Sequence, residues 1–242
     1  MGHKWNGWGV SVKGPLHKIN KTPNQDSWVY RKLSWGSIGV VSDGLGSHPY
    51  SHIGSKAVCN AVIEAAKISF SNKVYSINEI NPYLLFKLIH SIWLMKVHPY
   101  LPQESSATCL LAIQNNDEIL LAQLGDGLIV ATSADDHVIL NNKNDFSNIT
   151  NSIGQKFCKS YWKYKILNSN LVDSILMLSD GISDDLMEDK IIDFSNNISN
   201  NYSNYDPQKR YIEISYWLKN WPTPNHIDDK SLVCINKLRS DK

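Results

Sequence analysis

The chain has 242 residues, 42% of them hydrophobic and 19% charged, which is enough apolar material to bury a substantial core. Its 24 Lys and Arg balance 23 Asp and Glu to a formal net charge of +1. Length and composition exclude collagen-like, fully disordered and disulfide-scaffold classes, and the charge balance offers neither the basic excess of a nucleic-acid binder nor a polybasic tract for an anionic membrane.

From the N-terminus, residues 1 to 20 lack the continuous apolar run of a secretory signal. Met1-Gly2 is followed by Asn6 where myristoylation wants Ser or Thr. The run Ser37–Ser42 reads as a buried strand entering a turn at Asp43-Gly44. Helical spacing predicts helices over Ile53–Phe70 and Pro82–Val97, the second too short and too polar to span a bilayer. Strands follow over Ala107–Ile113, Glu118–Leu124 and Gly127–Thr132, joined by tight turns. Asn141–Asn151 and Ser195–Asn204 read as polar loops, Asp135-Asp136 as a solvated hairpin turn, and Asp184-Asp185 as a helix start. A strand at Ser174–Leu178 runs into Ser179-Asp180-Gly181, a helix fits Gln208–Asn220, and Lys230–Ile235 closes as a strand.

Strands in meanders with helices in separate stretches indicate an α+β fold, and no linker divides residues 1–242, so one domain is expected. Cys59, Cys109, Cys158 and Cys234 are scattered, as free thiols in a reducing cytoplasm would be. Trp28, Trp93 and Trp217 fall inside apolar patterns, where packing explains them better than an exposed aromatic platform for an interaction module or nucleic acid.

The chemistry lies in the aspartates. Asp43, Asp126 and Asp180 each end an apolar run and precede or adjoin Gly, which fixes a carboxylate at a sheet rim. Asp-Gly is also a common turn dipeptide, so any one of these turns alone carries little. Together they predict converging carboxylates, which repel unless a cation lies between them. Oxygen donors without His or Cys select Mg²⁺ or Mn²⁺ over zinc or copper. His48 and His52 are four apart, but Pro49 intervenes and no third soft ligand is near, so they read as loop or helix-start residues.

The ordered series Asn24-Gln25-Asp26, Val-Val-Ser-Asp-Gly-Leu-Gly through Gly46, Ser-Ser-Ala-Thr ending at Thr108, Leu-Gly-Asp-Gly around Asp126, Leu-Ser-Asp-Gly-Ile around Asp180, and Asp-Asp-Lys-Ser-Leu-Val from Asp228 resembles the metal-dependent serine/threonine protein phosphatases of type 2C. Thr150-Asn-Ser-Ile-Gly154 is similar to the segment after the flap in bacterial members, which puts a variable flap at about 133–161. The resemblance implies a four-layer αββα sandwich of two antiparallel sheets flanked by helices. It implies a bridging ligand at Asp43, a carbonyl ligand at Gly44, ligands of the other ion at Asp180 and Asp228, and a ligand, direct or through water, at Asp26. Asp126 matches the position that holds a weaker third ion with Asp180, and Lys21 the position of a phosphate-binding Arg.

What it implies for function is hydrolysis of phosphoserine and phosphothreonine in proteins, with two Mg²⁺ or Mn²⁺ ions about 3.5–4 Å apart activating the attacking water. Asp43 and Asp180 are the residues on which such catalysis depends. The partner is a phosphorylated protein, with room for a partner kinase and none for nucleic acid or membrane. The alternative within the fold is an inert phosphoprotein-binding scaffold. Departures from the pattern are Gln25 for Glu, Leu45 for a His that serves some eukaryotic members as general acid, Gly127-Leu128 for Ser/Ala-Arg, and Asp229 for Asn.

Overall fold

The computed structural model describes residues 5–71, 76–134, 136–141, 150–223 and 227–238. The Met1-Gly2 pair, Asp135 and most of the Asn141–Asn151 stretch within the expected flap lie outside them. Two five-stranded sheets form the centre, and every strand pairing in them is antiparallel.

The first sheet has the order β1 (Trp5–Val12), β10 (Lys230–Lys237), β9 (Ser174–Leu178), β6 (Leu128–Thr132), β7 (His137–Asn141). The second has the order β2 (Ser27–Lys32), β3 (Gly36–Ser42), β4 (Cys109–Asn115), β5 (Glu118–Leu124), β8 (Trp162–Asn168). The inner strands are apolar on both faces, because each sheet is covered on both sides. In β4, Leu110 and Ala112 join Val41, Ile129, Met177 and Val233 in the layer between the sheets. Cys109, Leu111 and Ile113, one residue out of phase, face the helices α2 (Ser51–Phe70) and α3 (Pro82–Val97). On the opposite outer face, Val10, Leu176 and Leu232 pack against α5 (Ile191–Tyr202) and α6 (Pro207–Lys219). The result is the expected four-layer sandwich.

The predicted strands and the first two helices match to within two residues at each end. Two expectations fail. Ser195–Asn204 is mostly the helix α5, because Ile191, Phe194, Ile198 and Tyr202 recur at helical spacing and pack on the first sheet despite the polar residues between them. Asp184-Asp185 does not start a helix: Asp184 caps the C-terminus of the short α4 (Asp180–Ser183), and Asp180 is its first residue. Strands β1, β2, β7 and β8 and the one-turn helix α1 (Pro15–Ile19) are additional elements. No described helix is long and apolar enough to cross a membrane.

Candidate metal centre

Strand register brings the aspartates to one rim. Ser27 pairs with Ser42, so Asp26 just before β2 lies beside Asp43 just after β3. Cys109 pairs with Leu124, placing the end of β5 there too. On the first sheet, Leu178 pairs with both Leu128 and Leu232, which aligns Asp180 with the start of β6 and the start of β10. Asp126 occupies the short connection that crosses from the second sheet to the first. Gly125 and Gly127 on either side have φ of 91° and 96°, a left-handed conformation that a side chain would strain. Gly181 admits close passage of the Asp228–Lys230 segment, since a Cβ there would stand 1.9 Å from the Asp229 carbonyl oxygen.

One carboxylate oxygen each from Asp43, Asp126 and Asp180 lie within 4.8 Å of one another. Asp43 is the hub, with the Asp26 and Asp180 carboxyls both close enough to perturb its own. Ionised carboxylates only accept, so without a cation these contacts need shared protons. Burial, followed by repulsion from Asp180 and Asp26, holds the Asp43 carboxyl well above its ordinary value. Burial, and then Asp126, pushes Asp180 up to about 8. Burial raises Asp26 to about 6, against the lowering effect of its bond with Asp43. Asp126 is raised by burial, which its bond from Thr150 opposes. Asp228 lies near enough to raise both Asp126 and Asp180, though it is outside the tight trio.

Around these groups the chain supplies a frame. Thr108 grips Asp43 twice: its Oγ1 accepts from the Asp43 N–H at 2.9 Å, and its own N–H donates to the Asp43 carbonyl at 2.7 Å. Ser179 Oγ donates to Asp26 Oδ2 at 2.8 Å and accepts from the Ser231 N–H at 2.9 Å. Thr150 Oγ1 donates to Asp126 Oδ2 at 2.8 Å. The Gly44 N–H donates to the Gln25 carbonyl at 3.2 Å. Asp26 Oδ1 and Asp180 Oδ1 remain buried without a hydrogen-bond partner. Two buried, orphaned carboxylate oxygens within a cluster of mutually repelling carboxylates fit hard divalent cations, and the donor set contains no soft ligand.

A second trio, His17, Asp228 and Asp229, also has three donor atoms within 4.8 Å. Here the acceptors are already engaged. Asp229, 1% exposed, accepts from the Gly14 N–H at 2.7 Å and the Gln25 N–H at 2.6 Å. His17 Nδ1 lies 2.8 Å from Asp229 Oδ2, off the line of a hydrogen bond. This trio is a strut that ties α1 and the Asp26 segment to the end of the Asp228 loop. The Asp229 departure therefore has a structural role, and the buried His17 was not foreseen; its only signal was a lone His before the first motif.

Sequence reasoning also passed over Thr108, Thr150, Ser179 and Ser231 as functional supports, although each lies inside a quoted motif. Lys21 stands apart. It is exposed, with φ of 55°, in the turn after α1, and its N–H donates to the Lys18 carbonyl. No recorded contact among the described residues joins its ammonium group to the carboxylates. His48 and His52 are, as expected, a loop residue and a first-turn residue of α2. Beside the carboxylates runs a groove of about 700 Å³ whose walls include Leu45, His48, Ser106, Thr150 and Lys156.

Two antiparallel sheets sandwiched between helix pairs, with a carboxylate cluster at one rim, define an α+β sandwich of the metal-dependent phosphatase type. The family model described as Protein phosphatase 2C matches residues 13–221, and the chain belongs to that family. Among solved structures, the chain is similar to serine/threonine phosphatase Stp1 from Staphylococcus aureus, at 15% identity and a TM-score of 0.68, covering 99% of this chain and 97% of that one. It is similar to the catalytic domain of serine threonine protein phosphatase PstP in complex with 2 manganese ions, at 12% identity and a TM-score of 0.64, covering 97% and 99%. It is also similar to RsbX in complex with magnesium, at 12% identity and a TM-score of 0.60, covering 97% and 96%. No curated protein matches the sequence significantly.

Proposed function

We propose that the chain, a single phosphatase domain across residues 1–242, hydrolyses phosphoserine and phosphothreonine in cytoplasmic proteins with Mg²⁺ or Mn²⁺. The observation that carries this reading is the convergence of Asp43, Asp126 and Asp180 with orphaned buried oxygens at Asp26 and Asp180. Family membership and the manganese and magnesium complexes of the similar PstP and RsbX support it.

In this reading Asp43, with Asp26 and Asp180 beside it, would be the ligand shared by two ions. The Gly44 carbonyl and Asp26 would help to hold one of them, and Asp180 with Asp228 the other. Asp126 and Asp180 are the pair for a weaker third ion. When bound, the ions neutralise charge on the phosphoryl oxygens and make the attacking water acidic enough to react near neutral pH. The chain's own part is to hold the carboxylates at fixed spacing, through Thr108, Ser179 and Thr150. Lys21 attracts the phosphate as a point charge. The groove beside the centre takes the peptide flanking the phosphoresidue, with Lys156 and His48 on its wall. A substrate of this kind needs a protein kinase to make it.

The test is hydrolysis of an aryl phosphate and a phosphothreonine peptide by wild type and Asp180→Asn, with Mn²⁺, Mg²⁺ or excess chelator. Metal-dependent turnover in wild type and its loss in the variant are expected. Wild-type turnover in Asp180→Asn would refute the site. Metal binding by calorimetry without any turnover would transfer the protein to the inert-scaffold reading.

A further inference from the structure

Asp228 also lines a second cavity, of about 180 Å³, whose other walls include none of the carboxylate trio. Its walls come from the end of β1 and α1, from the end of α6, and from the segment entering β10. They bring together Lys13, Lys18, Lys219 and Lys230 with Asp228, while Asp185 and Asp229 lie behind the wall, near Lys230. A chain whose basic and acidic residues number 24 and 23 has no general excess of lysine to scatter here.

Nor is the cavity a chance gap between mobile side chains. Lys230 is 2% exposed, and its Nζ donates to the Asp228 carbonyl at 3.0 Å. Trp221, which forms another wall, donates from Nε1 to Asp185 Oδ2 at 2.6 Å and meets the Trp217 ring edge-on at 4.8 Å. One cation and one aromatic wall are thus fixed by the fold, while Lys18 and Lys219 are exposed and free to close over a ligand. With about 30 Å³ per water in the liquid, the cavity has room for a tetrahedral oxyanion and a few waters. Compact ammonium groups from three segments suit a phosphate dianion, which needs several donors and no particular plane.

We propose that this pocket is a second phosphate site, distinct from the metal centre and sharing only Asp228 with it. The phosphate comes either from a second phosphoresidue on the same substrate or from free inorganic phosphate. Only this choice of source rests on the phosphatase reading; the site itself does not.

The experiment titrates inorganic phosphate into the full chain, with Mn²⁺ and separately with chelator, and follows calorimetry and indole fluorescence. Wild type, Lys13→Gln/Lys219→Gln and Trp221→Phe are compared. With chelator the carboxylate trio has no cation to hold an anion, so the binding that remains reports the lysine pocket. Saturable binding by wild type is expected, weakened about tenfold or more in the double lysine variant and by added salt, with the fluorescence change lost in Trp221→Phe. Absence of binding by chelated wild type, or equal binding by the lysine variant, would overturn the proposal. Singly and doubly phosphorylated peptides then separate the sources. A lower KM for the doubly phosphorylated peptide, lost in the lysine variant while aryl phosphate turnover is kept, identifies the substrate's second phosphate. Equal KM values with phosphate still bound identify the free ion. If no peptide is turned over but chelated wild type still binds phosphate, the phosphatase reading fails and the pocket stands.

Discussion

The two acidic trios at this rim have the same compactness and opposite chemistry. Each gathers three donor atoms within 4.8 Å. In the Asp43–Asp126–Asp180 trio the carboxyls are pushed up by burial and by one another, and Asp180 keeps an oxygen without a partner. In the His17–Asp228–Asp229 trio, two backbone N–H groups and an imidazole meet Asp229. Proximity of carboxylates is therefore a poor criterion for a metal site. What distinguishes the two is whether the fold has already supplied the positive partners.

That distinction is open to attack by substitution. The largest contrast should come from Asp43→Asn. It removes the hub, so metal-dependent turnover should fall by about a thousandfold or more, the scale on which key electrostatic groups act. The metal-free protein should nevertheless melt at the same or a higher temperature, because a repelling charge has gone. A large drop in the metal-free melting temperature would mean that Asp43 is structural. Asp229→Ala should do the reverse. It leaves the Gly14 and Gln25 N–H groups buried and unpaired beside His17, costing about 3–5 kcal/mol of stability by chemical denaturation with or without metal. A loss smaller than about 1 kcal/mol would remove the strut from the account.

A pH comparison sharpens the same point at smaller amplitude. Asp26 and Asp180 titrate in the folded, metal-free chain at about 6 and about 8, above the ordinary carboxylate value of 3.8. Groups raised in this way stabilise the fold fully below the unfolded value, and that contribution is lost as pH rises through the folded values. The metal-free protein should thus weaken between pH 4 and 8, and Mn²⁺ should stabilise it progressively more over that window. Melting curves with and without Mn²⁺ check this; a metal-induced shift independent of pH would contradict it. The smallest effect is expected for Thr150→Val, which frees Asp126 Oδ2 from the Thr150 hydroxyl. A change of about 1 kcal/mol in the affinity of the weakest ion, seen by calorimetry with the tighter ions already bound, is the expected outcome.

Much of the rim could be read in the sequence, because a buried strand that ends in Asp-Gly is a local signal. Asp43, Asp126 and Asp180 each carry it, and their convergence follows once the strands pair. The supports were less legible. Thr108 and Ser179 act through backbone groups that only the register brings opposite them, and Asp229 answers N–H groups more than 200 positions away in sequence. Composition misled at α5, where Asn and Ser outnumber the few apolar residues that make the buried stripe. Strands β1 and β8 were missed for a related reason: three of the eight residues of β1 and six of the seven of β8 are exposed or half-buried and break the apolar run.

The connection through Gly125-Asp126-Gly127 has a mechanical side. Asp26 and Asp43 ride on one sheet, Asp180 and Asp228 on the other, and Asp126 on the span between them. Anything held among these carboxylates rivets the two halves of the sandwich at one end, and the thickness of the filling sets the gauge of the jaws. Residues such as Met177 and Val41, fully buried between the sheets, act as shims whose size is transmitted to the rim without any of them touching a ligand.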